Sequence, residues 1–364
     1  MIQRFHKHLK FISLLCTVSV LCGCMNLGPR AVQAGRADYN TVLRDTADEQ
    51  LLVNLVRLRY RDRPYFLEVS AVTTQFSFSP QVSASGGIGA RDPAQDAELG
   101  AGVGYSEVPT ISYTPLQGDD FARRLLSPVS LEALVSLSHS GWSAERLLRI
   151  CVQRINGIPN AVTASGPTPD TAPEFRRFNE LARLLRELQL GNDVAIAFRA
   201  GPASVPVLTF SERALSGNAY RSIVELLGVA PGRRQYEIVS ALGSAGPEAI
   251  SIQTRSLNGI LYFLSHGVAV PPGHRDSGLV TDTREPGGAP FDWSEVTGGL
   301  LRIESMEKAP DPAAVRVRYR DHWFYIRDND LPSKSTFSLL AQLFALQAGS
   351  GEGLQPVLTI PVGG

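Results

Sequence analysis

The chain has 364 residues, 43% of them hydrophobic, and balances 35 Lys and Arg against 35 Asp and Glu. That length can bury a sizeable core and suits two or three domains. The neutral balance argues against a nucleic-acid binder, which needs a basic face.

The first ten residues carry Arg4, Lys7 and Lys10 and no acid, and the apolar run Phe11 to Leu21 follows. Eleven residues at about 1.5 Å each cover only roughly half of a ~30 Å hydrocarbon core, so the segment reads as a cleavable export signal rather than a permanent span. Leu21-Cys22-Gly23-Cys24 resembles the bacterial lipobox. The resemblance implies cleavage between Gly23 and Cys24, diacylglyceryl attachment to the Cys24 sulfur and acylation of the new amino terminus, which together anchor a chain stably. Met25 stands where an Asp would retain a lipoprotein in the inner membrane, so the outer membrane, facing the periplasm, is the expected address. Loss of residues 1–23 turns 35 basic residues into 32 against 35 acidic. Cys151 is then the single free thiol, and its apolar helical surroundings suggest a buried, inert one. Asn26 to Ala37, with Gly28, Pro29 and Gly35, reads as a tether.

Thr46-Ala47-Asp48-Glu49 is a capping box, and Leu51, Leu52, Leu55, Val56 and Leu58 follow at helical spacing, so a helix is expected over 46–61. From Phe66 the period becomes two. Val72, Thr74, Phe76 and Phe78 alternate with Thr73, Gln75, Ser77 and Ser79. After a polar turn at 91–96, Leu99, Ala101, Val103 and Tyr105 alternate with glycines and polar residues. Two runs of about 20 residues make a hairpin over 66–114, about three times the usual strand length. Helices are expected at 119–126, 131–137 and 142–155, then a Pro/Gly linker at 157–173. Beyond it come a helix at 174–190, strands at 194–198 and 205–210, a helix at 220–227 and strands at 236–240 and 249–254. A helix at 257–265, strands at 300–305, 315–319 and 323–326, a helix capped by Asp330 and a last strand at 357–360 complete the chain.

Catalytic signatures are largely missing. The chain has no Gly-x-Ser-x-Gly, no His-Glu-x-x-His and no complete phosphate loop. Lys334-Ser335-Thr336 follows Leu331-Pro332-Ser333 and reads as a helix start. Gly100, Gly102 and Gly104 read as the small face of a strand, since Tyr105 occupies the position of the third glycine of a dinucleotide loop. His274-Arg275-Asp276 matches the opening of a kinase catalytic loop without its metal-binding Asn. His139, His266, His274 and His322 are scattered over different elements, and a metal site needs several such groups to converge.

The expected class is therefore α+β, mixed helices and short sheets with one long β-hairpin extension. The expected divisions are a signal peptide (1–23), a lipidated N-terminus and tether (24–40), a helical region carrying the hairpin (41–156), a linker (157–173) and a C-terminal α+β domain (174–364) subdivided near 241–248. The expected function is a structural or assembly role for a self-associating lipoprotein, with no catalytic residue, metal or cofactor. Its partners are the membrane, through the lipid, and further copies or an envelope protein. One alternative is an oligomeric outer-membrane pore or export component, each subunit lending its hairpin to a barrel; some lipidated export channels are built so, which is an analogy without a motif. Val72, Thr74, Phe76, Phe78, Leu99, Val103 and Tyr105 are the residues on which either reading depends. A second alternative is a periplasmic enzyme with a site near His322 and Asp328.

Overall fold

The computed structural model describes residues 27–86, 97–199, 205–241, 243–348 and 358–361. The leader, Gly23, Cys24 and the hairpin turn lie outside them. Contacts divide the chain into Met1–Leu51 and Leu52–Gly364.

The first helix, α1 (Leu27–Arg59), starts far upstream of the expected cap and takes in most of the supposed tether. Pro29 falls in the first turn, where its missing N–H costs nothing, and no further Pro or Gly follows Gly35 to stop propagation before Thr46. Thr46 consequently donates its hydroxyl back to the Val42 and Leu43 carbonyls at 2.9 and 3.0 Å instead of capping. The C-terminal end is a Schellman motif: Asp62 N–H bonds the Arg57 carbonyl at 2.9 Å, Arg61 N–H bonds Leu58 at 3.1 Å, and Arg61 is left-handed at φ 60°.

Next come β1 (Leu67–Gly86) and β2 (Ala97–Pro115), then α2 (Asp119–Leu126), α3 (Leu131–His139) and α4 (Ala144–Cys151). The third expected helix stops four residues early. Val152–Ile155 is a strand, β3, because β-branched Val152 and Ile155 pair with Thr254 and Ile252 of a later strand. Asn156 and Gly157, both at positive φ, then form a tight turn into β4 (Ile158–Pro159). The expected linker therefore opens with a hairpin, and it buries Asn160, Ala161, Ala164 and Thr168 within the Leu52–Gly364 unit.

The remaining elements are α5 (Arg176–Leu190), β5 (Val194–Arg199), β6 (Val205–Phe210), α6 (Glu212–Leu215), α7 (Asn218–Leu227), β7 (Gln235–Val239), β8 (Ala249–Thr254), α8 (Leu257–Ser265), α9 (Pro272–Asp276), α10 (Ser294–Thr297), β9 (Glu304–Met306), β10 (Ala313–Tyr319), β11 (His322–Arg327), α11 (Leu331–Ala348) and β12 (Leu358–Pro361). They confirm an α+β protein. A six-stranded sheet runs β4-β3-β8-β7-β6-β5, parallel only between β7 and β8, and a three-stranded sheet runs β10-β11-β9. The third sheet is β1-β2-β12.

Arg255, 1% exposed, ties the middle of the molecule together. Its guanidinium donates to the carbonyls of Arg149, Ile150 and Val152 where α4 ends, to the Asn160 carbonyl, and to Ser165 Oγ at 2.8 Å. The first three are carbonyls that a helix end leaves without intrahelical partners. The Arg255 guanidinium also lies 4.1 Å from the centre of the Phe263 ring.

Candidate assembly interface and polar clusters

The hairpin is built on a firm base. Asn54 on α1 accepts from Tyr65 N–H at 3.0 Å and donates to the Tyr65 carbonyl at 2.8 Å, copying a strand pair just before β1 begins. Phe66, 3% exposed, has its ring 4.8 Å from Phe344 of α11 and 6.2 Å from Phe121 of α2. A register shift at Ser70 marks the end of this base. From Ala71↔Ser112 to Gly86↔Ala97 the pairing is then unbroken, about 50 Å of ladder at ~3.3 Å per residue.

Directly opposed residues of an antiparallel pair share a face. The register sets Val72 opposite Ile111, Thr74 opposite Pro109, Phe76 opposite Glu107, Phe78 opposite Tyr105, Val82 opposite Ala101 and Ala84 opposite Leu99, with Pro80 opposite Val103. On the other face stand Gln75 with Val108, Ser77 with Ser106, Ser79 with Gly104, Gln81 with Gly102, Ser83 with Gly100 and Ser85 with Glu98. The seven residues singled out from the sequence thus all belong to one face, across both strands. The ladder contains one apolar row and one row that is small or polar. Its base is covered by β12, which pairs only with Thr110–Tyr113 of β2. Among the described residues, no third strand meets Thr74–Gly86 or Ala97–Pro109, so neither edge of the arm has a strand partner among them.

A second cluster forms where α1 ends. Tyr60 Oη and His274 Nδ1 are 2.7 Å apart, and the His274 and His322 rings contact edge to face at 4.7 Å. Tyr319 donates to Asp62, and Arg320 donates to the same carboxylate oxygen at 2.9 Å. Burial pushes the Tyr60 hydroxyl up to about 12. His274 is held below the usual histidine range, first by burial and then by its neighbours His322 and Arg320. Burial alone would raise Asp62, but the hydrogen bonds from Tyr319 and Arg320 outweigh it and hold the carboxyl low. Arg320 and Asp321, at φ 46° and 63°, make the two-residue turn joining β10 and β11. Two of the histidines that looked scattered therefore meet, while His139 lies elsewhere with Nε2 2.9 Å from the Ile196 carbonyl.

His322 and Asp328, around which the enzyme alternative is drawn, lie apart. His322 opens β11 and Asp328 follows its end, about 20 Å away along a six-residue strand. Asp328 binds Lys334 Nζ at 2.6 Å instead. Lys334 sits in α11, whose start Asp330 caps by accepting from Ser333 N–H at 3.1 Å. His274-Arg275-Asp276 belongs to the short helix α9. Cys151 is fully buried, and burial pushes its thiol up to about 12, out of nucleophilic reach at neutral pH. Among the described residues, no group of three or more His, Cys, Asp and Glu side chains could hold a metal, and no helix is long and apolar enough to cross a membrane.

Arg59, which the sequence did not single out, and His266, weighed there only as a scattered histidine, line a cleft of about 750 Å³. Arg59, in the last turn of α1, looks like an ordinary helix-end cation, yet it is 2% exposed. His266, just after α8, looks the same and is 4% exposed. Burial first, and then the Arg59 charge, drive the imidazole down to about 3, so it stays neutral. Its Nδ1 lies 2.7 Å from the Tyr262 carbonyl and must donate there, which leaves Nε2 as the acceptor. A signal was present in the local sequence: Arg59 falls on the same helical face as Leu52, Leu55 and Val56, and His266 directly follows the apolar run of α8.

No protein-family model, curated protein or solved structure matches the chain.

Proposed function

We propose that the chain is a lipid-anchored outer-membrane subunit, and that several copies close a β-barrel to which each contributes its β1–β2 arm. The reading rests on the register: the nine pairs from Phe78↔Tyr105 to Gly86↔Ala97 carry one apolar and one small or polar row. Nine pairs at about 3.3 Å, tilted by about 40°, rise roughly 23 Å, close to the ~25 Å apolar band of outer-membrane barrels. Phe78 and Tyr105 stand opposite each other at one end of the apolar row, at the level an aromatic girdle occupies, and Phe76 and Glu107 form the next pair of that face toward the base. A single hairpin cannot cross lipid, because its edges leave backbone groups unpaired; closure by neighbouring copies satisfies them. Anchoring through Cys24 would hold the subunits at the membrane surface while the ring forms.

The assembly role expected from the sequence has its own support in Pro80, which fits an edge strand and withholds one backbone donor from a barrel neighbour. In that reading the arm docks on an envelope partner without entering lipid. Val82 and Ser83 separate the two. They are adjacent, occupy opposite faces and lie at the middle of the nine-pair segment. Arg at a lipid-facing midplane position costs about 2–4 kcal/mol per subunit. Val82→Arg should therefore abolish dye leakage from liposomes, while Ser83→Arg should leave insertion intact and shift the pore toward anion selectivity. Equal behaviour of the two variants, or wild-type protein that never renders liposomes leaky, would sink the barrel and leave the docking arm.

A further inference from the structure

The Leu52–Gly364 unit buries two arginines almost completely, and it treats them differently. Arg255 finds five protein acceptors. Arg59 makes both of its hydrogen bonds from Nη1, to Thr168 Oγ1 at 3.2 Å and to the Thr281 carbonyl at a marginal 3.5 Å. Its Nε has no partner among the described residues. Asp282 is a carboxylate whose charge acts on Arg59, with no ion pair between them among the described residues. An unmet Nε is not decisive by itself, since Arg149 has one too. Arg149, however, has Glu145 at 3.2 Å and the Val296 and Gly298 carbonyls at 3.0 and 2.9 Å. Asp282 is shared loosely with Arg275, and a buried guanidinium that no carboxylate pairs directly is strongly unfavourable, by several kcal/mol in typical interiors. Something other than the described protein atoms would have to offset that at Arg59.

The cleft that Arg59 lines is roomy enough for a small-molecule ligand, about 750 Å³. Its carboxylates are already engaged. Asp292 accepts from Ser294 N–H at 2.9 Å and Oγ at 2.7 Å, and Asp330 accepts from Ser333 N–H at 3.1 Å and Oγ at 2.7 Å. Arg275 adds a second guanidinium to the wall, with only a loose contact to Asp282 at 3.8 Å. His266, its ring centre 3.8 Å from that of Trp293 and tilted 41° to it, presents a second buried polar atom, Nε2, without a partner among the described residues. We propose that this cleft binds a small molecule through a carboxylate or phosphate oxyanion that pairs with Arg59, with Arg275 at the mouth. Both groups are matched by the planar donor fork of a guanidinium.

The proposal is independent of the barrel, because binding is read on purified full-length protein in detergent whether or not it inserts. Calorimetric titration with sodium acetate, sodium phosphate and phosphatidylglycerol micelles, against sodium chloride at matched ionic strength, separates the sources of the oxyanion. Saturable one-to-one binding of acetate or phosphate means a free small anion; saturation by the lipid alone means a bound headgroup. In either case Arg275→Ala should weaken binding about tenfold and Arg59→Lys by more, since the charge remains while the fork is lost. Arg275 is a surface residue, so its variant still tests the site if changes at Arg59 disturb folding. Flat titrations with all three probes, or saturable binding that neither variant weakens, would overturn the proposal and leave the unmet Nε and Nε2 atoms to bound water.

Discussion

Replacing Arg255 by methionine keeps most of the side-chain volume and removes every donor of the guanidinium. Four carbonyls and one hydroxyl lose a hydrogen bond. They do not suffer equally. Asn160 Nδ2 also donates to the Arg149 and Val152 carbonyls, at 2.9 and 2.6 Å, so those two keep a donor. The Ile150 and Asn160 carbonyls are left with none from this network. A buried acceptor without a partner costs about 1–3 kcal/mol, which puts the gross loss at roughly 2–6 kcal/mol. Removing a buried cation gives part of it back; burial already pulls the Arg255 guanidinium down to about 9. The net expectation is a loss of about 3 kcal/mol, or roughly 6 °C in Tm at about 2 °C per kcal/mol for a unit of this size. Urea unfolding followed by far-UV circular dichroism reads the change in free energy, and a thermal scan reads the midpoint. A methionine variant within about 0.5 kcal/mol of wild type, or more stable, would refute the view that Arg255 closes the end of α4.

Acid should weaken the fold before any carboxylate titrates. His266 is held down to about 3 against an ordinary 6.5, so the folded protein excludes a proton that the unfolded chain accepts. Its contribution is complete above pH 6.5 and falls by about 1.4 kcal/mol per unit as pH drops toward 3. Between pH 6.5 and 5 the urea-unfolding free energy should fall by roughly 2 kcal/mol, His274 adding in the same direction, and His266→Asn should flatten the slope. A pH-independent wild type over that window would contradict the buried neutral imidazole. Cys151 should resist iodoacetamide at pH 8 in the native protein and react once urea unfolds it; rapid native labelling would mean that the 0% exposure at the end of α4 is wrong.

Much of the fold was legible because its elements carry local periods. The 3.6-residue stripe of Phe178, Leu181, Leu184, Leu185 and Leu188 and the alternation around Phe76 and Val103 are properties of neighbouring residues, and helix α5 and the hairpin appear where those patterns place them. Asp330 likewise announces the start of α11, since a cap acts within one turn. The sequence also determined what each strand of the arm offers, an apolar row and a small or polar row. It could not say that the two apolar rows coincide. That depends on register, and a slip by one residue would have set each strand's apolar row against the other's polar row. Only tertiary pairing decided that Val152–Ile155 leaves the helix for a sheet, that the Pro/Gly segment is packed rather than a linker, and that His274 meets His322. The cleft is a mixed case: Arg59 shares a helical face with Leu52, Leu55 and Val56 and His266 follows an apolar helix, but their near-complete burial follows from the chain segments folded around them. Local interactions set the period of a chain, but desolvation, which gives a buried charge its chemistry, is settled by residues far away in sequence.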